Sequence, residues 1–382
     1  MKSLLQRAWA RARKPHALDG LRFDRPLVLF QSDDWGRVGV RDHEGCVALR
    51  AARIPLGESP YDFYSFETAD DLAALRGVLK DHNDSAGRHP VIVMNFITAN
   101  VDFARCLASG GHEISLLPLS QGLPDPWTRP RLFEEYRQGI AEGMFFPALH
   151  GLTHFCAKAV TRELKADGER GRLVRKLWSA GTPYIHWRMP WIGYEYWDIE
   201  AKSDQYLPVE DQQLAIQQAV GLYQKLFDST PISACAPGYR SNANTHSAWF
   251  DAGIRVAQNG PGGRQAPFLD HRGMLHTFRT VEMEPAVSPC NLESLIGDAA
   301  KCFRRGLPAI VSIHSINFHS TIRDFRTPTV ALLDQFLSAL EMKWPKLLYV
   351  HDADLFRIAT EGAYVANGRS ISVNEISVSA ER

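Results

Sequence analysis

Apolar runs of four to seven residues recur along the chain, and most of them close on a polar or glycine-rich cluster. The runs Leu27–Gln31, Val91–Phe96, Phe145–Leu149, Ile232–Ala236, Arg255–Gln258, Thr277–Met283, Ala309–His314 and Leu347–Val350 have the length and the β-branched or aromatic content of strands. Helical periodicity lies between most of them. Thr68–His82 is one such segment; Pro208–Phe227 sets Ile216, Val220, Tyr223 and Phe227 on one face. Asn291–Arg305 opens on an N-cap asparagine and stops at Gly306. Strand then helix, repeated about seven times, predicts an α/β fold with a mostly parallel sheet closed into a (β/α) barrel, with an open doubly wound sheet as the alternative. The division expected is a basic tail or helix over residues 1–22, a single barrel domain over 23–360 and a C-terminal tail over 361–382.

Where the polar residues fall is the more telling pattern. Asp33 and Asp34 end the first run, His150 follows the third, and Pro237-Gly-Tyr239-Arg240 follows the fourth. Asn259-Gly-Pro-Gly-Gly follows the fifth, and His314-Ser-Ile-Asn317 closes the run before the last. A parallel barrel carries its chemistry at the C-terminal ends of its strands, so these clusters are expected on one rim. Two adjacent carboxylates do not both ionise in a dry site unless a cation is near. His150 and His154 are spaced to face one way on a turn of helix, and with one aspartate they make a His2Asp ligand set that leaves a position open. His314 suits general-acid work near neutral pH; His319 is a weaker candidate for it. Tyr239 and Arg240 offer a phenol and a guanidinium for a sugar hydroxyl or for orienting a carboxylate. The aromatic stretch Tyr184–Trp197 reads as a loop cover or a carbohydrate platform.

Composition narrows the class. The 43 basic and 43 acidic side chains cancel, which argues against a nucleic-acid surface. Hydrophobic residues at 45% and charged ones at 23% describe an ordinary globular chain. Six scattered cysteines without a CxxC pair read as reduced thiols, and with no signal-peptide core or long apolar stretch the expected location is the cytoplasm. Arg7, Arg11, Arg13 and Lys14 allow at most a weak membrane-surface contact. No glycine-rich nucleotide loop is present.

The clusters together resemble the polysaccharide deacetylases, NodB-like carbohydrate esterases built on a distorted (β/α)7 barrel. Ser32-Asp33-Asp34-Trp35-Gly36 resembles that family's first motif, His150-Gly-Leu-Thr-His154 its metal histidines, Ala236-Pro-Gly-Tyr-Arg-Ser-Asn its third motif, and Ile310-Val-Ser-Ile-His314 its last. Phe278–Pro285 and Leu307–Asn317 resemble a bacterial branch tied to cell-surface polysaccharide genes. The resemblance implies a divalent metal, Zn2+ by preference, on Asp34, His150 and His154, with Asp33 as base and His314 as acid. It also implies substrate contacts from Trp35, Tyr239, Arg240 and Asn317, an acetylated carbohydrate as substrate, and N- or O-deacetylation of a sugar or polysaccharide precursor. Three departures stand out. Trp35 replaces the usual Gly-Pro, no arginine precedes Pro237, and the fourth motif's Asp-Trp pair has no counterpart near Asn259. The competing readings are an inactive carbohydrate-binding barrel and a two-carboxylate glycoside hydrolase using Glu195 or Asp198.

Overall fold

The computed structural model describes residues 20–54, 56–202, 204–261 and 266–376. The basic residues Arg7, Arg11, Arg13 and Lys14 lie outside these. Ten strands form the main sheet: β1 (Leu27–Trp35), β2 (Ile92–Ile97), β3 (Phe145–Gly151), β4 (Ser233–Cys235), β5 (Val256–Asn259), β6 (Phe268–Leu269), β7 (Leu275–Phe278), β8 (Val281–Glu282), β9 (Ala309–His314) and β10 (Leu348–Tyr349). Their order is β8-β9-β1-β2-β3-β4-β5-β7-β6, with β10 beside the start of β1; every pairing is parallel except β6 with β7. The two margins of this sheet are joined by the chain itself. The run expected as one strand, Thr277–Met283, is broken at Arg279-Thr280 into β7, which pairs with β5, and β8, which pairs with β9. At the break Thr280 N–H donates to Ile310 O at 2.9 Å, so the sheet curls round into a distorted (β/α) barrel.

Period-two alternation assigns each strand residue to the inside or the outside. On β1, Val28 and Phe30 pack outward in the large core, while Leu27 and Leu29 point into a second core at the barrel base with Val93, Val256, Leu275 and Ile310. The next inward residues toward the strand ends are polar and buried: Gln31, Asn95, Gln258, Thr277 and Ser312. Above them the same parity places Asp33, His150 and His314. The barrel is therefore greasy at its floor, hydrogen-bonded at its middle and ionisable at its mouth.

Helices α1 (His43–Ala51) and α2 (Ala69–Lys80) follow β1; α3 (Phe103–Ala108) and α4 (Leu132–Ala141) follow β2. α5 (Ala157–Ala166), α6 (Glu169–Ser179) and α7 (Val209–Phe227) follow β3, and α8 (Ala243–Asp251) follows β4. α9 (Leu292–Arg304), α10 (Arg326–Lys343) and α11 (Asp352–Glu361) complete the set. The expected helix starts coincide with real caps. Thr68 and Asp71 close a reciprocal capping box on α2, and Asn291 with Ser294 does so on α9, which gives way to Gly306 at φ 67°. Residues beyond 360, expected as a tail, instead include an antiparallel hairpin, β11 (Ala363–Ala366) and β12 (Arg369–Ser372), whose Tyr364 joins Val373 in the floor core. All six cysteines are unpaired, and among the described residues no helix is long and apolar enough to cross a membrane.

The outer layer makes a stability prediction. Leu333 on α10 is fully buried, whereas Leu214 on α7 is 55% exposed. Leu333→Ala should cost about 2–5 kcal/mol in chemical denaturation, and Leu214→Ala should stay within about 0.5 kcal/mol of the wild type.

Candidate metal centre

Asp33 points inward by strand parity, so its neighbour Asp34 should point out of the barrel. It does not, because Asp34 adopts φ 74° and the β1–β2 register shifts between Ser32 and Trp35. Left-handed backbone is costly for a non-glycine residue and persists only where its surroundings enforce it. Here Tyr64 Oη donates to the Asp34 carbonyl at 2.8 Å, and Gly36 N–H donates to Glu67 Oε1 at 3.1 Å. The turn brings both carboxylates to the wall of one cavity of about 380 Å3.

Asp34 Oδ1 faces His154 Nε2 at 3.1 Å and His150 Nε2 at 3.4 Å. His150 stands at the end of β3, and its Nδ1 lies 2.9 Å from the Cys235 carbonyl, so Nδ1 carries the proton and Nε2 turns its lone pair to the cavity. His154 reaches the same point by a bend, not by the helical turn its spacing predicts. That bend is held from behind: Glu195 Oε1 accepts from Leu152 N–H at 2.8 Å and Thr153 N–H at 3.2 Å. Gly151 (φ 146°) is required there, since a Cβ would overlap the Glu195 carboxylate.

The three side chains fit a cation on their own chemistry. Asp34 Oδ1 and His150 Nε2 are buried and have no hydrogen-bond partner, a costly arrangement that a shared cation would relieve. Burial drives the His154 imidazole down to about 4 despite the attraction of Asp34, so it is neutral and able to ligate. Asp34 is held well below the usual carboxylate range: burial opposes ionisation, but Arg37 and His154 outweigh it. A second grouping, Asp33 with His150 and Cys235, is also within mutual reach. It is the poorer set. Burial and Asp33 push the Cys235 thiol well up, and Asp33 is already committed elsewhere.

That commitment is to Arg279. Its Nη2 lies 2.5 Å from Asp33 Oδ1, its Nη1 donates to Tyr239 Oη at 2.9 Å, and both partners of the ion pair are buried. Burial alone would raise the Asp33 pKa; Arg279, then His150 and His314, bring it far below the ordinary value. Asn95 Nδ2 donates to the same Oδ1 at 2.7 Å and to Gln258 Oε1 at 2.8 Å, and Gln258 Nε2 donates to Asp352 Oδ2 at 2.7 Å. Across the cavity His314 Nε2 lies 3.7 Å from Asp33 Oδ2, with Nδ1 held by Glu284 Oε1 at 2.6 Å. Burial would favour neutral His314, but Glu284 and then Asp33 raise it to about 9.

Asp33, Asp34, His150, His154, His314 and Tyr239 are thus gathered on one cavity. Three expected substrate contacts are not. Trp35 is fully buried, donating to Ser32 Oγ at 2.9 Å and stacking on Phe318. Asn317 is buried and spends its amide on Glu284 at 2.6 Å, and Arg240 lies in solvent over the Trp197 ring at 4.6 Å. Glu195 braces the histidine bend, Asp198 pairs with Arg162, and His319 pairs with Glu67, all outside the cavity lining. Arg279 and Glu284 were missed as site residues. Their signal was charge inside and just after a strand run: Arg279 sits at the break and Glu284 one residue past the run's end at Met283. Arg37, Tyr61, His186, Trp187 and Tyr194 also line the cavity. Gly238 (φ 59°) admits Tyr194, whose ring a Cβ there would strike.

No protein-family model and no curated protein sequence matches the chain. Among solved structures, the fold is similar to PuuE allantoinase (11% identity, 92% of this chain and 95% of that one, TM-score 0.47). It is also similar to a probable polysaccharide deacetylase from Pseudomonas aeruginosa PAO1 (12%, 87% and 90%, TM-score 0.45). A third is BA3943, a CE4 family pseudoenzyme from Bacillus anthracis (9%, 89% and 70%, TM-score 0.40). At these identities the likeness is one of fold alone.

The His314–Glu284 pair has a measurable signature. Because His314 rises from 6.5 to about 9 on folding, its proton contributes stability in full below pH 6.5 and loses it as pH climbs through 9. Glu284→Gln should bring the His314 titration, followed by NMR on 15N-histidine protein, down to its ordinary value or lower. A titration left near 9 in that variant would show that Glu284 is not the cause.

Proposed function

We propose that this cavity is the active site of a metal-dependent deacetylase acting on an N- or O-acetylated sugar or polysaccharide precursor. The observation that carries the reading is the pair of partnerless ligand atoms on Asp34 and His150, beside neutral His154 and within one cavity of an ionised aspartate and a protonated histidine. Asp34, His150 and His154 would hold Zn2+, the ion best suited to two imidazoles and a carboxylate, which when bound supplies Lewis acidity to an acyl carbonyl and acidifies water.

The chain's own residues divide the remaining work. Arg279 and Asn95 fix the Asp33 carboxylate through Oδ1, leaving Oδ2 on the side of His314 as the acceptor of a proton from the attacking water. His314 is positively charged at neutral pH, its Nδ1–H donates to Glu284 Oε1, and its Nε2–H is free to protonate the departing amine or alkoxide. Tyr239 completes the wall beside Asp33, oriented by the same arginine. Support for a carbohydrate comes from the aromatic rim, Trp187 being 63% exposed at the cavity edge, where a ring can stack on a sugar face. The motifs at Phe278–Pro285 and Leu307–Asn317 further favour a cell-surface polysaccharide precursor as the substrate.

Base and ligand separate by mutation. Asp33→Asn should still take up zinc but lose roughly a hundred- to ten-thousand-fold in acetate release from acetylated glucosamine oligosaccharides. Asp34→Ala, His150→Ala and His154→Ala should fail to retain zinc on equilibrium dialysis. Full turnover in Asp33→Asn would remove the proposed base. Glycan binding by zinc-loaded wild type with no acetate release would instead assign an inactive carbohydrate-binding barrel. The alkaline limb of kcat should fall near pH 9, where His314 loses its proton, and should move to lower pH in Glu284→Gln.

A further inference from the structure

Two charged groups at the cavity each have a counter-charge within 2.6 Å. Asp33 has Arg279 at 2.5 Å, and His314 has Glu284 at 2.6 Å. Arg37 does not. It is 6% exposed yet lines the cavity, with its guanidinium over the Tyr64 ring at 4.0 Å. Among the described residues, its one carboxylate ion-pair partner is Asp34, reached by a single Nη2 at 3.5 Å. That is longer than a charge-assisted hydrogen bond, and Asp34 is the same carboxylate that faces the two histidines. Arg37 Nε is buried with no hydrogen-bond partner, and the Tyr184 ring lies 5.8 Å from the guanidinium.

An arginine cannot shed its proton to escape burial, so an incompletely paired guanidinium is retained at a cost. Two oxygens on one ligand atom match its fork, as lysine's point charge does not. We infer that Arg37 is an anion-binding subsite, and that the substrate carries a carboxylate or phosphate close to its acyl group. The inference rests on the deacetylase reading for the acyl group, and on Arg37 alone for the charge. It narrows the substrate class from acetylated sugars in general to acidic or phosphorylated ones.

The test is calorimetric binding of methyl glucoside, methyl glucuronide and glucose 1-phosphate to the zinc-saturated protein. Wild type should bind one of the charged probes at least about tenfold more tightly than the neutral one, and the preferred probe identifies carboxylate or phosphate as the source. In Arg37→Gln the charged and neutral probes should agree within about twofold. If that variant does not fold, Arg37→Lys is read in its place and should lose most of the preference, because it keeps the charge without the fork. Equal binding of all three probes by wild type overturns the subsite. So does a preference that survives in the variant, which would mean that the zinc ion attracts the anion. Acetate release from acetylated glucosamine oligosaccharides, measured on the same preparations, keeps the two proposals apart. Release without charge preference sinks only the subsite, and an Arg37-dependent preference without release sinks only the hydrolase.

Discussion

The buried ion pair between Asp33 and Arg279 is the constraint on which the site depends. Two neighbouring carboxylates at the end of one strand compete for any cation, and without a division of labour one of them would take up a proton. Arg279 takes Asp33 outright at 2.5 Å, which leaves Asp34 free to face His150 and His154. The left-handed turn at Asp34 is the other half of that division, sending its side chain to the histidine wall. Removing one partner of such a pair leaves an uncompensated buried charge and costs about 3–5 kcal/mol, so its role is both structural and chemical.

The same arginine ties the site to the way the barrel closes. Arg279 sits at the break between β7 and β8, where the sheet's two margins meet and Thr280 bonds to Ile310. Below it, Asn95, Gln258, Gln31 and Asp352 form a hydrogen-bonded layer across the barrel, Gln31 Nε2 reaching Asp352 Oδ1 at 2.8 Å. Asp33 is consequently fixed from the side by a charge and from beneath by an amide. Gln31 Oε1 is the one side-chain oxygen of these four layer residues left without a partner, and the remaining bonds brace the reacting groups from beneath.

Much of this was legible in the order of residues, and the failures have physical causes. The strand runs, the capped helices and the gathering of Asp33, Asp34, His150, His154 and His314 follow from local pattern, because period-two alternation and strand ends are local properties. Arg240, expected to hold a sugar hydroxyl or orient a carboxylate, lies in solvent, and Asp33 is met instead by Arg279 at the break between two strands, brought near only by barrel closure. Trp35 and Asn317 turn away from the cavity to other partners: Trp35 to Ser32 and Phe318 in the core, and Asn317 to Glu284 behind His314. The two histidines converge through a bend braced by Glu195, where their spacing predicts a helical turn, because a bend converges two side chains as well as a turn of helix does.

The proposed chemistry turns on one ion held between Asp34 and two imidazoles. An anomalous difference map recorded at the zinc edge, from crystals grown with Zn2+, tests that directly. A single peak enclosed by Asp34 Oδ1, His150 Nε2 and the His154 ring is the predicted result. A peak beside Asp33 and Cys235, or a zinc-saturated crystal with no peak in the cavity, would contradict it.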